Sequence, residues 1–200
     1  LGRMAQRAEV ERMMRKHDLS RAVATQVVLG HADLEAYLAR RRMEAAVEAN
    51  RARSCLLEGR TLSLSLTGQR RVEGVVSAVA PYEVTLVTAE GEITLRKLEV
   101  KVAWAPEEYK KVRKVLRRDK ALAEAPEEVA VRPQDRHGVS DKRLFRYLDL
   151  GTQVDVSTVE GEILRGSVVW FSRYEIGLEG KGGGAFTVFR HALKEVVEVR

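Results

Sequence analysis

Residues 70–87 read RRVEGVVSAVAPYEVTLV, and residues 162–179 read EILRGSVVWFSRYEIGLE. In each stretch a glycine, Gly74 or Gly166, is followed eight residues on by a tyrosine, Tyr82 or Tyr174. A glutamate and a further apolar run come next. Each copy then passes a glycine-containing turn and reaches a second motif, ITLRKLEVKV at 93–102 and FTVFRHALKEVVEV at 186–199. Short runs with period-two alternation are strands with one buried face, and a unit of this size that recurs is one supersecondary module made twice. The expected module is a small β-barrel whose long second strand bends at Gly74 or Gly166, where a side chain is not tolerated.

Working outward, Thr61–Leu66 alternates strictly, so Leu62, Leu64 and Leu66 line one face. Strands are further expected at 72–79, 84–87, 93–95 and 100–102, and in the second copy at 154–158, 163–171, 174–179, 186–189 and 194–199. Residues 4–53 are rich in Ala, Arg, Glu, Met and Leu and contain no Pro, so they read as helices. Breaks are expected near Asp18–Ser20 and Gly30, and Leu34, Tyr37, Leu38 and Ala45 form an apolar face on the third helix. Pro106 opens a basic amphipathic helix over 107–120, with Tyr109, Val112, Val115 and Leu116 as its stripe. Residues 121–138 read as a linker, and Ser140 as the cap of a short helix to Leu148.

The fold class predicted is therefore α+β. A helical domain at 4–56 precedes a five-stranded barrel at 57–106, a basic helix and linker at 107–140, and a second five-stranded barrel at 141–200 with its leading short helix.

Composition narrows the partners. The net charge is +6, which favours polyanions. Residues 107–120 carry 7 basic and 3 acidic side chains, whereas 121–200 carry 11 and 13, so the excess lies outside the repeated β modules. One cysteine, Cys55, permits no intrachain disulfide, and the N-terminal stretch has no apolar signal core. Both lead to a cytoplasmic expectation. Cys55 reads as an inert thiol. One cysteine and four scattered histidines give no metal-ligand spacing. Gly182–Gly184 is a hairpin tip and not a phosphate loop. No catalytic constellation stands out, so no enzyme activity, metal or cofactor is expected, and no membrane association.

The second module resembles the Sm-like family, and within it the Hfq branch of bacterial RNA chaperones, over about residues 141–199. The resemblance rests on the turn Glu160-Gly161, the strand glycine Gly166, the stretch Phe171-Ser172-Arg173-Tyr174 and the string Phe189-Arg190-His191-Ala192-Leu193. That string stands where the family has Tyr-Lys-His-Ala-Ile. The family's Asp-Gln is here Ser172-Arg173, and its motif Tyr is Phe189. The resemblance implies that Tyr174 stacks on a base, Arg190 meets phosphate and His191 hydrogen-bonds the nucleotide. Phe189 and Arg173 would flank them, with Lys142, Arg143 and Arg146 on the short helix as a basic rim. The first module resembles the family less closely. Tyr82 keeps the stacking position, and Arg96-Lys97 stands in for the Lys-His pair.

Taken without the family, a β surface bearing Tyr, Arg and His suits single-stranded RNA, because bases stack on aromatics and cations neutralise phosphate. Lys110, Lys111 and Lys114 on the basic helix extend that surface. The function expected is single-stranded RNA binding in post-transcriptional regulation, with U-rich RNA as what the resemblance implies. Two assemblies are open: chains closing into a homo-oligomeric ring of barrels, or the two barrels pairing internally in a chain that stays monomeric or dimeric. Two alternatives accompany it. One is a protein scaffold that recruits a partner through residues 4–56. The other is a duplex-DNA regulator that uses the same helices.

Overall fold

The computed structural model describes residues 2–199. The chain divides into two compact units, one ending at Ala46 and one beginning at Val47. In the first, α1 (Arg3–His17) ends at Asp18, whose left-handed φ of 50° turns the chain. The Ser20 side chain then accepts from the Val23 N–H and starts α2 (Arg21–Val28). Asp33 Oδ1 accepts from the Ala36 N–H at 2.7 Å at the start of α3 (Leu34–Ala49). Both contacts satisfy N–H groups that a helix start leaves open. Val10, Leu19 and Ala24 form the buried centre, with Met13, Met14, Val23, Val28, Leu34, Tyr37 and Leu38 packed on it.

The second unit holds the strands. They are β1 (Thr61–Leu66), β2 (Arg70–Val79), β3 (Glu83–Thr88), β4 (Gly91–Arg96), β5 (Val100–Trp104), β6 (Leu116–Arg118), β7 (Gln153–Thr158), β8 (Glu162–Phe171), β9 (Glu175–Glu179), β10 (Ala185–Phe189) and β11 (Leu193–Glu198). Leu62, Leu64 and Leu66 are all buried, as their alternation requires. Where β2 passes β3, a Cβ on Gly74 would lie 2.6 Å from the Val87 carbonyl oxygen. Where β8 passes β9, a Cβ on Gly166 would lie 2.8 Å from the Glu179 carbonyl oxygen. Two residues beyond each glycine the register slips, at Val76/Ala78 and at Val168/Trp170. A bulge there sharpens the bend in both long strands.

The expected pair of separate five-stranded barrels is not what forms. All eleven strands belong to one antiparallel sheet that does not close. Its order is β11-β7-β8-β9-β10-β5-β1-β2-β3-β4, with β6 paired to β8 off this path. The reason is the pairing of β10 with β5, Thr187 opposite Ala103 and Val188 opposite Val102. Through it the second repeat's run continues into the first, and β4 and β11 are left as the two ends.

The basic helix also differs from expectation. Residues 106–108 make a 3-10 turn and α4 spans only Tyr109–Val115. Leu116–Arg118 then extends as β6 beside Glu162–Leu164, the part of β8 that β9 does not cover. A ladder available in three dimensions here outweighs a helical pattern in the sequence. Asp119 caps α5 (Lys120–Glu124), inside the stretch read as linker. Ser140 caps α6 (Asp141–Leu150), which ends at Gly151 with φ of 62°. No helix among the described residues is long and apolar enough to cross a membrane.

Candidate nucleic-acid interface

The two repeats build the same corner. Between β2 and β3 the Ala80 N–H donates to Glu83 O at 3.0 Å, and between β8 and β9 the Ser172 N–H donates to Glu175 O at 2.9 Å. The tyrosine of each corner is then fixed by its carbonyl. Tyr82 O accepts from the Lys97 N–H, and Tyr174 O from the Arg190 N–H, both at 2.8 Å. Tyr82 is 84% exposed and Tyr174 56%, so both rings face solvent. The Arg173 guanidinium lies over the Tyr174 ring, 5.5 Å from its centroid. This backbone match also corrects the register of the first motif. Lys97 is the counterpart of Arg190, so Arg96 stands where Phe189 stands and Leu98 where His191 stands. Arg96 is exposed and 3.7 Å from Glu99, and Lys97 is half-buried.

The pocket expected around Tyr174 does not assemble. Phe189 is 2% exposed and packs into the core of the first repeat with Leu62, Leu64 and Val100, so no base reaches its ring. His191 is 6% exposed, and its Nε2–H donates to Val100 O at 2.7 Å. Burial pulls this imidazole down to about 4, against the hydrogen bond to Val100. It is neutral and committed to a carbonyl. Arg190 is spent internally. Its Nη1 donates to Asp141 Oδ1 at 3.1 Å and to Ser172 O at 2.9 Å, and its Nη2 donates to Val139 O. It does not meet phosphate directly. It clamps the start of α6 to the corner that carries Tyr174.

That clamp ties the start of α6, the helix that carries Lys142, Arg143 and Arg146, to the Ser172 end of the corner. Lys142 and Arg146, one turn apart on α6, are exposed and have no side-chain partner among the described residues. Arg143 turns inward, donating from Nε to the Tyr147 hydroxyl and from Nη2 to Val196 O at 3.0 Å, so its role is structural. On α4, Lys110 and Lys114 are exposed and unpaired among the described residues, whereas Lys111 lies 3.4 Å from Glu108. Of the expected site residues, Tyr174, Arg173, Lys142, Arg146 and Tyr82 are the ones left exposed and without a hydrogen bond or ion pair from the side chain among the described residues, together with Lys110 and Lys114.

Sequence reasoning missed the polar seam between the repeats. Lys101 on β5 is 1% exposed, with Nζ 2.6 Å from Glu160 on the β7–β8 turn and 2.8 Å from Glu162, the first residue of β8. Glu160 also accepts from the backbone N–H groups of Gly68 and Gln69, and Glu162 from the Ser65 and Thr158 hydroxyls. Burial would raise the Glu160 carboxyl, but the hydrogen bonds from Lys101, Gly68 and Gln69 outweigh it and hold it below its ordinary value. Glu175 accepts from Ser54 Oγ and from the Cys55 N–H, yet burial pushes it up. Burial, and then the nearby Glu175 charge, hold the Cys55 thiol well above its ordinary value, which makes it inert. The one sequence signal for this seam was a lysine inside the apolar run Val100-Lys101-Val102-Ala103-Trp104. Such a lysine needs a buried counter-charge.

Neither protein-family models nor curated proteins show a match to the chain.

Proposed function

We propose that this chain is a cytoplasmic protein that binds single-stranded RNA without covalent chemistry, through the Tyr174 corner and the basic face of α6. The observation that carries the proposal is the clamp at Arg190. It ties the corner that carries an exposed tyrosine, with a guanidinium over its face, to the start of a helix that carries two unpaired cations. Aromatic stacking with adjacent positive charge is the physical requirement for holding an unpaired strand. Kinship with the Sm-like family through the Phe189–Leu193 string is part of this proposal, and the two-barrel architecture is not. With His191 buried, the reading is of strand binding through stacking and phosphate charge, with no pocket for a chosen base.

The test is titration of labelled single-stranded RNA, with duplex DNA as a control, across a salt series. Tyr174→Ala is expected to weaken RNA binding about tenfold at unchanged thermal stability. Undiminished RNA binding by Tyr174→Ala, or equal binding to duplex DNA, overturns the reading.

A second reading, self-association, is favoured by the sheet ends. Among the described residues β4 and β11 have no outer strand neighbour, and the β10–β5 pairing shows how one repeat joins another. Copies joined β4 to β11 would remove both open edges. Light scattering that gives a monomer mass at working concentration excludes it.

A further inference from the structure

We propose a second phosphate-binding surface, on Arg71, Tyr109 and Arg113 with Lys110 and Lys114 beside them, that grips the backbone of the same RNA strand. The proposal deepens the RNA reading and rests on it for the identity of the polyanion. Its core is a guanidinium held by rings. The Arg71 carbon lies 4.1 Å from the Tyr109 ring centroid and 4.9 Å from that of Trp104. The two rings are stacked on each other, 6.3 Å apart at 20°. Arg71 is exposed and has no hydrogen bond or ion pair among the described residues. Glu73, two residues along β2, serves the Ser63 hydroxyl instead, at 2.9 Å.

Stacking fixes the plane of a guanidinium but leaves its N–H fork open, and an open planar fork matches two oxygens of one phosphate. Four other arginines of this unit already have a carboxylate in contact, Arg70 at Glu99, Arg117 and Arg165 sharing Asp155, and Arg190 at Asp141. Arg113 lies one helical turn beyond Tyr109 on the same face of α4. Lys110 and Lys114 form the adjacent i, i+4 row. All three are exposed and unpaired among the described residues. The nearby carboxylates do not cancel them. Glu108 is taken by Lys111 and the Ala185 N–H, which leaves Glu107 at the far end and Glu73, two residues from Arg71, against the four cations Arg71, Lys110, Arg113 and Lys114. Phosphodiester is the chemistry that meets a stacked fork beside a cation row.

The test is fluorescence anisotropy of a labelled oligouridine over a salt series, with the full chain. The variants are Arg71→Lys, a Lys110→Gln/Arg113→Gln/Lys114→Gln triple variant, and Tyr174→Ala. Arg71→Lys keeps the charge but loses the planar fork, so affinity should fall about fivefold with the salt slope nearly unchanged. The triple variant changes only exposed side chains and should lower the slope by about 2. Loss of binding in Tyr174→Ala alone, with the other variants as wild type, overturns this surface and leaves the RNA reading standing. Inorganic polyphosphate separates the converse case. If oligouridine does not bind but polyphosphate does, in a manner dependent on Arg71 and Arg113, the surface stands and the RNA reading falls. If neither ligand binds, both fall.

Discussion

His191 Nε2 lies 2.7 Å from the carbonyl oxygen of Val100, so the histidine of the second repeat is fastened to the first strand residue of β5 in the other repeat. Phe189, two residues earlier, fills the core of that same repeat. The motif Phe189–Leu193 is therefore a joint. It inserts an apolar ring, bonds a neutral imidazole to the Val100 carbonyl, and uses Arg190 to set the corner on its outer side.

This joint makes stability depend on pH. Burial depresses His191 to about 4, below its ordinary value of about 6.5, so the unfolded chain binds a proton that the folded chain refuses. The contribution is whole above about pH 6.5 and is lost as pH falls toward 4, amounting to roughly 3 kcal/mol. Urea unfolding is expected to show a steeper loss of stability between pH 7 and 4 for wild type than for His191→Gln. Parallel losses would refute it.

The Lys101 cluster supports the same seam through charge. Lys101→Met leaves Glu160 and Glu162 buried without their cation, and removing one partner of a buried ion pair costs about 3–5 kcal/mol. Adding Glu160→Gln and Glu162→Gln to Lys101→Met removes the stranded charges, and much of the loss should return. Denaturant midpoints of the single and triple variants decide it. A triple variant less stable than the single would mean that the hydrogen bonds to Gly68, Gln69, Ser65 and Thr158 matter more than the charge.

What could be read from the chain before its fold follows from these examples. Leu62, Leu64 and Leu66 announce their strand by alternation, and Ser140 announces α6 by its side-chain oxygen, because both signals are local. The pairing of Val188 with Val102 has no such signal, since backbone edges carry no side-chain signature, and so one continuous sheet was read as two closed barrels. Leu116 fits the apolar stripe of α4 as well as it fits a strand, and only the uncovered stretch of β8 decides between them. His191 has the same neighbours in sequence whether exposed or buried. Its role depends on β5, 91 residues away.

The two strand glycines give a test of the bend itself. Gly74→Ala places a methyl 2.6 Å from Val87 O, and Gly166→Ala places one 2.8 Å from Glu179 O, both against backbone that has no freedom to withdraw. Overpacking of this kind costs about 1–3 kcal/mol. Each variant is expected to melt several degrees below wild type, whereas an exposed control such as Gly138→Ala, with nothing within 4 Å, should melt as wild type does. Equal melting temperatures for Gly74→Ala and Gly138→Ala would show that β2 does not approach β3 this closely.

On the proposed RNA reading, Arg190 links stability to binding, and its variants should separate the two. Arg190→Gln removes the cation from Asp141 and leaves the Ser172 and Val139 carbonyls without their charged donor, at a cost of about 1–3 kcal/mol. If Arg190 acts by holding α6 against the Tyr174 corner, amide exchange should quicken around residues 139–142 and 172–174 before it quickens in β7 or β8. On the proposed RNA reading, affinity should fall as well, because α6 with Lys142 and Arg146 is no longer tied to that corner. The decisive comparison is non-additivity. Arg190→Gln should weaken RNA binding markedly in wild type and little in Tyr174→Ala, since a positioning residue has nothing left to position. Equal losses in both backgrounds would mean instead that the guanidinium leaves its internal partners and contacts the strand itself.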